Sequence, residues 1–357
     1  MNHLCIFTIF YRDRGGFFVC PTSHKTAISL TMPYPQRPST RFLAPLMGLV
    51  LLTIAAVVVS HQFRDYHVQD IVDGLRSLPP AQMGRAATFA GLGYLAVTGY
   101  DALGFLHLRL SLGYPKIALT TFISSALSNT LGFALLTGRA IRYRFYSGWG
   151  ISAIAIAQVI AFANVSFWLG LLAVGGGAFL LAPFEIPSQI QLPFRSTAGL
   201  GLIFLALVTL YIIGSAALRK GLTIRQHRLQ FPRLSIALAQ IAVSSLDWSQ
   251  AAATLYSLLP QAAGLTYLRF LKIYLLAMAA GVLSNVPGGL GVFETVVILL
   301  LADQFSPAAV LASLLAYRGV YYFLPLAIAM VLFGGYEIRK NCWHSKGSHH
   351  PNISAKL

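Results

Sequence analysis

The stretch Ser284-Asn285-Val286-Pro287-Gly288-Gly289-Leu290-Gly291-Val292-Phe293-Glu294 sits in strongly apolar surroundings, yet it carries helix breakers, an amide and a carboxylate. Hydrocarbon offers no water to backbone N–H and C=O groups, so non-helical backbone survives at membrane depth only where protein or a water-filled cavity covers it. A Pro-Gly-Gly break followed at once by a fresh apolar helix therefore reads as two half-helices meeting inside a membrane protein.

Composition points the same way. Hydrophobic residues make up 56% of the 357 positions and charged residues only 10%. Several apolar runs exceed the roughly 20 residues that cross about 30 Å of hydrocarbon. The formal charge of +16 could suggest a nucleic-acid partner. The basic residues, however, sit in short loops between apolar runs, the distribution that orients helices, and no nucleic-acid recognition motif accompanies them.

Residues 1–40 read as an N-terminal extension expected to be disordered, its first 31 residues preceding a second start-like Met32. The run Leu4 to Phe10 is too short to span and lacks the flanks of a signal peptide. A transmembrane domain is expected over 41–338, followed by a basic cytoplasmic tail over 339–357. Within it, apolar stretches fall at 42–60, 86–106, 117–136, 151–182, 197–218, 234–259, 268–301 and 307–334. Between them lie the basic loops 109–116, 139–144 and 219–233.

The chain also repeats itself. Lys116-Ile117 and Lys272-Ile273 precede Leu127-Ser128-Asn129 and Leu283-Ser284-Asn285 at identical spacing, with Leu119 matching Leu275 and Gly132 matching Gly288. That is seven identities in seventeen ungapped positions. If every apolar stretch spanned, the basic loops could not share one side with the tails. If 117–138 and 268–301 are re-entrant hairpins, all three basic loops and both tails face the cytoplasm, as the positive-inside rule favours. The expected fold is thus all-α, with about six full spans and two re-entrant hairpins in an inverted repeat, an arrangement that places binding sites at the repeat interface.

Ionisable groups at membrane depth are costly and usually functional. Asp101 and Asp247 lie in the helices before the two hairpins and are suited to a cationic headgroup or to a proton. Asn129 and Asn285 fall at the expected hairpin tips, where an amide serves broken backbone or a phosphate. Glu294 opens a half-helix, where an acid suits the positive dipole end and can either cap or bind. Arg142 and Arg144 flank Tyr143 at the cytoplasmic mouth and could capture phosphate. Arg318 is the basic residue placed inside a span, with Glu294 or Asp247 as its expected partner.

Other chemistry finds no support. Cys5, Cys20 and Cys342 have neither metal nor disulfide spacing, and His344, His349 and His350 read as a solvated tail. No phosphate-binding loop, zinc-protease motif or nucleophile elbow occurs. No cofactor and no metal are expected, and the chain reads as transporter-like, not as an enzyme.

The blocks Ala126-Leu127-Ser128-Asn129-Thr130-Leu131-Gly132-Phe133, Ala140-Ile141-Arg142-Tyr143-Arg144-Phe145-Tyr146-Ser147 and Phe167-Trp168-Leu169-Gly170 resemble the flippase-type membrane domain of bacterial lysylphosphatidylglycerol synthases. The opening stretch and Leu315-Ala316-Tyr317-Arg318-Gly319-Val320-Tyr321-Tyr322 do so too, over about residues 41–340 in all. Arg139 departs from the pattern, which has a small residue there.

The resemblance implies a domain that moves an aminoacylated phospholipid between leaflets of the bacterial inner membrane, without the transferase domain that makes the lipid. Expected partners are an anionic or aminoacylated phospholipid and a separate aminoacyltransferase, and self-association is compatible. Two alternatives stand beside it: a non-transporting scaffold for such a transferase, and an ion-coupled carrier of a small solute.

Overall fold

A computed structural model describes Asp73, Arg76 and residues 78–346, apart from 132–133, 182–195, 218–221, 225–226, 230, 261–263 and 284–290. The expected N-terminal extension, the first span at 42–60, Gly132, most of the opening stretch with Asn285, and the end of the tail lie outside the described residues.

The described helices, numbered here in chain order, are α1 (Pro80–His107), α2 (Tyr114–Leu131), α3 (Ala134–Gly148), α4 (Ala153–Leu181) and α5 (Thr197–Ala217). After them come α6 (Leu234–Leu258), α7 (Tyr267–Leu283), α8 (Val292–Leu301), α9 (Pro307–Arg318), a π-turn over Gly319–Phe323 and α10 (Leu324–Lys346). The sequence reading was all-α. In the basic loop before α6, however, Leu222–Ile224 and His227–Leu229 pair as a short antiparallel hairpin.

Four helical segments are long and apolar enough to cross a membrane: Pro80–His107, Ala153–Leu181, Thr197–Ala217 and Pro307–Arg339. Their surfaces confirm a membrane protein turned inside out relative to a soluble one. Leu181, Ile154 and Val331 are 78%, 75% and 74% exposed, while Asp101, Ser166, Gln240, Ser244 and Thr254 are wholly buried. A soluble fold does not bury its polar side chains behind so broad an apolar exterior.

Helix α6 was expected to span but is not among the four. Its 25 residues reach about 37 Å at 1.5 Å per residue, so length is sufficient. Hydropathy is not, because Gln240, Ser244, Asp247 and Thr254 form a polar stripe along its buried face.

Helices α1 and α6 pack antiparallel. Gly93 faces Gln250, and Gly99, six residues on, faces Val243, seven residues back. These are the two helices that carry the aspartates, and an inverted repeat requires them to run oppositely. Small residues allow such close approach where the hydrophobic effect does not drive helices together. At Gly170 of α4 a Cβ would come within 2.6 Å of the Ser244 carbonyl on α6.

Helices α2 and α3 form an antiparallel helical hairpin. Lys116 lies over the Trp149 ring at 5.5 Å near its open end, and Gly138 meets Ser128 near its tip. Ser128-Asn129, expected to interrupt the first element, are helical, and α2 continues to Leu131. The basic segment 139–144 is not a loop either. Arginine favours helix, and the i, i+4 spacing of Ile141 and Phe145 makes a buried stripe on α3 while Arg139 and Tyr143 stay exposed.

The larger core unites α6, α7, α8 and α9 around Trp248, Phe270, Tyr274, Phe293 and Tyr317. A second core joins α2, α3 and α10 through Ile123, Leu127, Ile141, Phe145 and Phe333.

Candidate functional site

Tyr100 and Asp101 are consecutive on α1, about 100° apart around the helix. One faces α6 and the other α3. The Asp101 side chain is fully buried, and its Oδ2 accepts from Arg142 Nε at 2.8 Å and from the Tyr146 hydroxyl at 2.7 Å. Arg142 and Tyr146 are four residues apart, so one face of α3 presents both donors. Among the described residues, Asp101 Oδ1 has no hydrogen-bond partner.

Arg142 commits only Nε to Asp101. Its Nη1 lies 3.5 Å from where a Cβ on Gly138 would stand, beside the buried and unpartnered Ser128 hydroxyl. Any side chain at 138 would place its Cβ 2.3 Å from that hydroxyl. The glycine therefore leaves room for the rest of the guanidinium fork at the hairpin.

Arg144 does not join Arg142. Two residues apart on a helix, they point to different neighbours. Arg144 Nη2 stands 2.7 Å from Glu337 Oε1 on α10, a charge contact outside hydrogen-bond geometry, and its guanidinium covers the Phe333 ring at 5.3 Å. The two arginines expected at one phosphate thus have different protein partners, Asp101 for Arg142 and Glu337 for Arg144.

A second buried ion pair belongs to the other half. Nε of Arg318 donates to Glu294 Oε1 at 2.8 Å, and Nη2 donates to the same oxygen. Glu294 Oε2 accepts from the Gly291 N–H at 2.9 Å, so this one carboxylate both caps α8 and holds the arginine. Gly291 takes φ +79°, the left-handed conformation that glycine adopts without strain. Of the two partners expected for Arg318, the structure selects Glu294. Arg318 also lies over the Tyr322 ring at 5.5 Å.

Asp247 pairs with no cation among the described residues. Its Oδ2 accepts from the Tyr100 hydroxyl at 2.7 Å, and Oδ1 has no partner. Asn129 is half-buried, and its Nδ2 donates to the Tyr94 hydroxyl at 3.5 Å. That hydroxyl donates in turn to the Tyr321 carbonyl at 3.1 Å. The adjacent Thr130 hydroxyl reaches the Tyr322 carbonyl at 3.4 Å. Both carbonyls belong to the π-turn after Arg318, so the end of α2 is tied to the segment that positions the second ion pair.

Sequence reasoning missed Tyr94, Tyr100, Tyr146, Gln250 and Glu337. Tyrosine in an apolar run passes as core, and the only available signal was position: Tyr100 adjoins Asp101, and Tyr146 lies one turn from Arg142. A cleft of about 450 Å³ opens elsewhere, between the start of α1 and the end of α6, lined by Gln82, Arg85, Phe89, Tyr256 and Ser257. It contains none of the expected site residues.

The chain is 40% identical over 292 residues to the protein slr0712 of Synechocystis sp., covering 82% of this chain and 91% of that one. It is 32% identical over 242 residues to the inner membrane protein YbhN of Escherichia coli, covering 67% and 75% respectively.

The chain belongs to the YbhN family. No protein-family model matches it. More distantly, this YbhN-family chain is 25% identical over 287 residues to the phosphatidylglycerol lysyltransferase of Staphylococcus xylosus, covering 80% of this chain but 33% of that enzyme. The enzyme of the same name from Staphylococcus aureus strain COL is 26% identical over 246 residues. The chain spans about a third of the length of these lysyltransferases. It is a membrane protein related, at a distance, to proteins of lipid modification.

Proposed function

We propose that this chain moves an anionic or aminoacylated phospholipid, such as lysyl-phosphatidylglycerol, between the leaflets of the inner membrane, as a transporter and not an enzyme. In this reading α2–α3 and α7–α8 are re-entrant hairpins that enter from opposite faces, about six full spans surround them, and both termini are cytoplasmic. The distant relation to the lysyltransferases and the inner-membrane relative support it.

The observation that carries it is the buried pair of Asp101 and Arg142 at the first hairpin, with the guanidinium held to the acid through Nε. A buried ion pair is expensive to open, because each charge left alone costs several kcal/mol. A ligand carrying both charges avoids that cost. The phosphate of an aminoacylated lipid takes the arginine while its ammonium takes the acid, so no buried charge is left alone. Glu294 and Arg318 offer a second pair of the same kind, and Asn129 and Asn285 add amide donors for phosphate.

Leaflet-resolved lipid labelling with a membrane-impermeant amine reagent tests the proposal, comparing the natural chain with Asp101→Asn at equal protein level. Loss of outer-leaflet aminoacyl lipid is expected, with total lipid unchanged. Unchanged labelling would defeat the assignment. A fall in total aminoacyl lipid, with co-purification of a separate aminoacyltransferase, would indicate a scaffold instead.

A further inference from the structure

Asp247 lies outside both ion pairs, and its surroundings suit another ligand. Asp247 is 7% exposed, and its Oδ1 is buried with no hydrogen-bond partner among the described residues. One turn along the same face of α6, the Gln250 Oε1 is also buried without a partner. Opposite stands Gly93 of α1. A Cβ there would lie 3.4 Å from Gln250 Cβ, 3.8 Å from Asp247 Oδ1 and 3.9 Å from a ring carbon of Tyr321. Two buried acceptor oxygens, neither with a partner among the described residues, thus lie one turn apart on α6, although buried acceptors are nearly always satisfied.

The titratable groups facing Asp247 are Tyr94 and Tyr100 from α1, Tyr274 from α7 and Tyr321 from the π-turn. Of these, Tyr100 already donates to Oδ2. Hard metal cations stripped of water need about six or more oxygen ligands. Two free oxygens cannot supply that number. A proton needs one donor atom and one acceptor.

We propose that Asp247 Oδ1 carries a dissociable proton, accepted by Gln250 Oε1, and that this proton is the coupling ion for lipid movement. The coupling half rests on the transport reading above; the proton site does not. The proton is taken from water on one face onto the carboxylate and returned to water on the other, so nothing is consumed but the gradient.

Two measurements on the full chain test this. In infrared spectra at neutral pH, the natural chain is expected to show a carboxylic-acid C=O band. Asp247→Asn should lose that band, and Gln250→Leu should shift it while keeping it. Absence of the band, or its removal by Na⁺ at constant pH, would overturn the proton site.

In vesicles of phosphatidylglycerol carrying a fluorescent aminoacyl lipid, a pH gradient should skew the lipid between leaflets. The skew is about tenfold per pH unit for one proton per lipid, and Asp247→Asn should abolish it. Lipid movement indifferent to the gradient would overturn the coupling while the site stands. An acid band with no lipid movement at all would defeat the transport reading, and the coupling with it, but not the site.

Discussion

Arg142 and Asp101 meet through one nitrogen and one oxygen, 2.8 Å apart, and the acid is completely shielded from solvent. Removing either partner leaves the other charge buried alone, which costs about 3–5 kcal/mol, whereas replacing both with apolar residues of similar size is often neutral. Arg142→Met is therefore expected to lower unfolding stability by that amount. The double variant Asp101→Leu with Arg142→Met should recover most of the loss. Unfolding of the purified chain in graded denaturing detergent measures both.

Gly138 and Ser128 form a second testable contact, at the tip of the first hairpin. A Cβ at 138 would stand 2.3 Å from the serine hydroxyl. Gly138→Ala is expected to cost about 1–3 kcal/mol by overpacking. Adding Ser128→Ala removes the obstructing oxygen and should restore most of that stability in the same detergent titration.

Two glycines of α4 should respond in opposite senses. At Gly170 the new methyl would meet the Ser244 backbone carbonyl at 2.6 Å, which no rotamer change relieves, whereas Gly177 has open space around it. Gly170→Ala is expected to separate α4 from α6 and to lower thermal stability. Gly177→Ala should be neutral or gain about 0.5–1 kcal/mol, because alanine suits a helix interior better than glycine.

Arg318 should not tolerate lysine. The guanidinium places two donors on one Glu294 oxygen and a flat face over Tyr322, and an ammonium reproduces neither. Arg318→Lys is expected to cost about 1.5–3 kcal/mol of charge-assisted hydrogen bonding and to slow lipid redistribution in vesicles. Equal rates at equal protein level would remove this pair from the transport reading.

The individual charges were legible in the sequence because an ionisable residue in an apolar run has few innocent explanations. Asp101, Asp247, Glu294 and Arg318 all stood out for that reason, and the structure buries all three carboxylates and the guanidinium at or near its interior. Their partnerships were not legible. Asp101 and Arg142 were read as separate contacts to a headgroup, yet they bind each other across 41 positions of chain.

Local charge also misled. Three arginines between 139 and 144 suggested a loop, while the burial of Ile141 and Phe145 makes the segment a helix. The tyrosines that hold the aspartates gave no signal, since an aromatic ring with one hydroxyl matches the apolar background until the fold supplies its partner. The stretch 284–290, with Asn285, lies outside the described residues.

The π-turn at Gly319–Phe323 reaches beyond the carbonyls it offers to Tyr94 and Thr130. Such a turn amounts to one surplus residue within an α-helical run. Were these five residues to relax to α geometry, all of α10 would rotate by about 100° about its axis. Glu337 would swing away from Arg144, and Phe333 and Tyr336 away from Phe145. The azimuth of the last helix, and with it the face offered to the first hairpin, is therefore set by the width of this one turn.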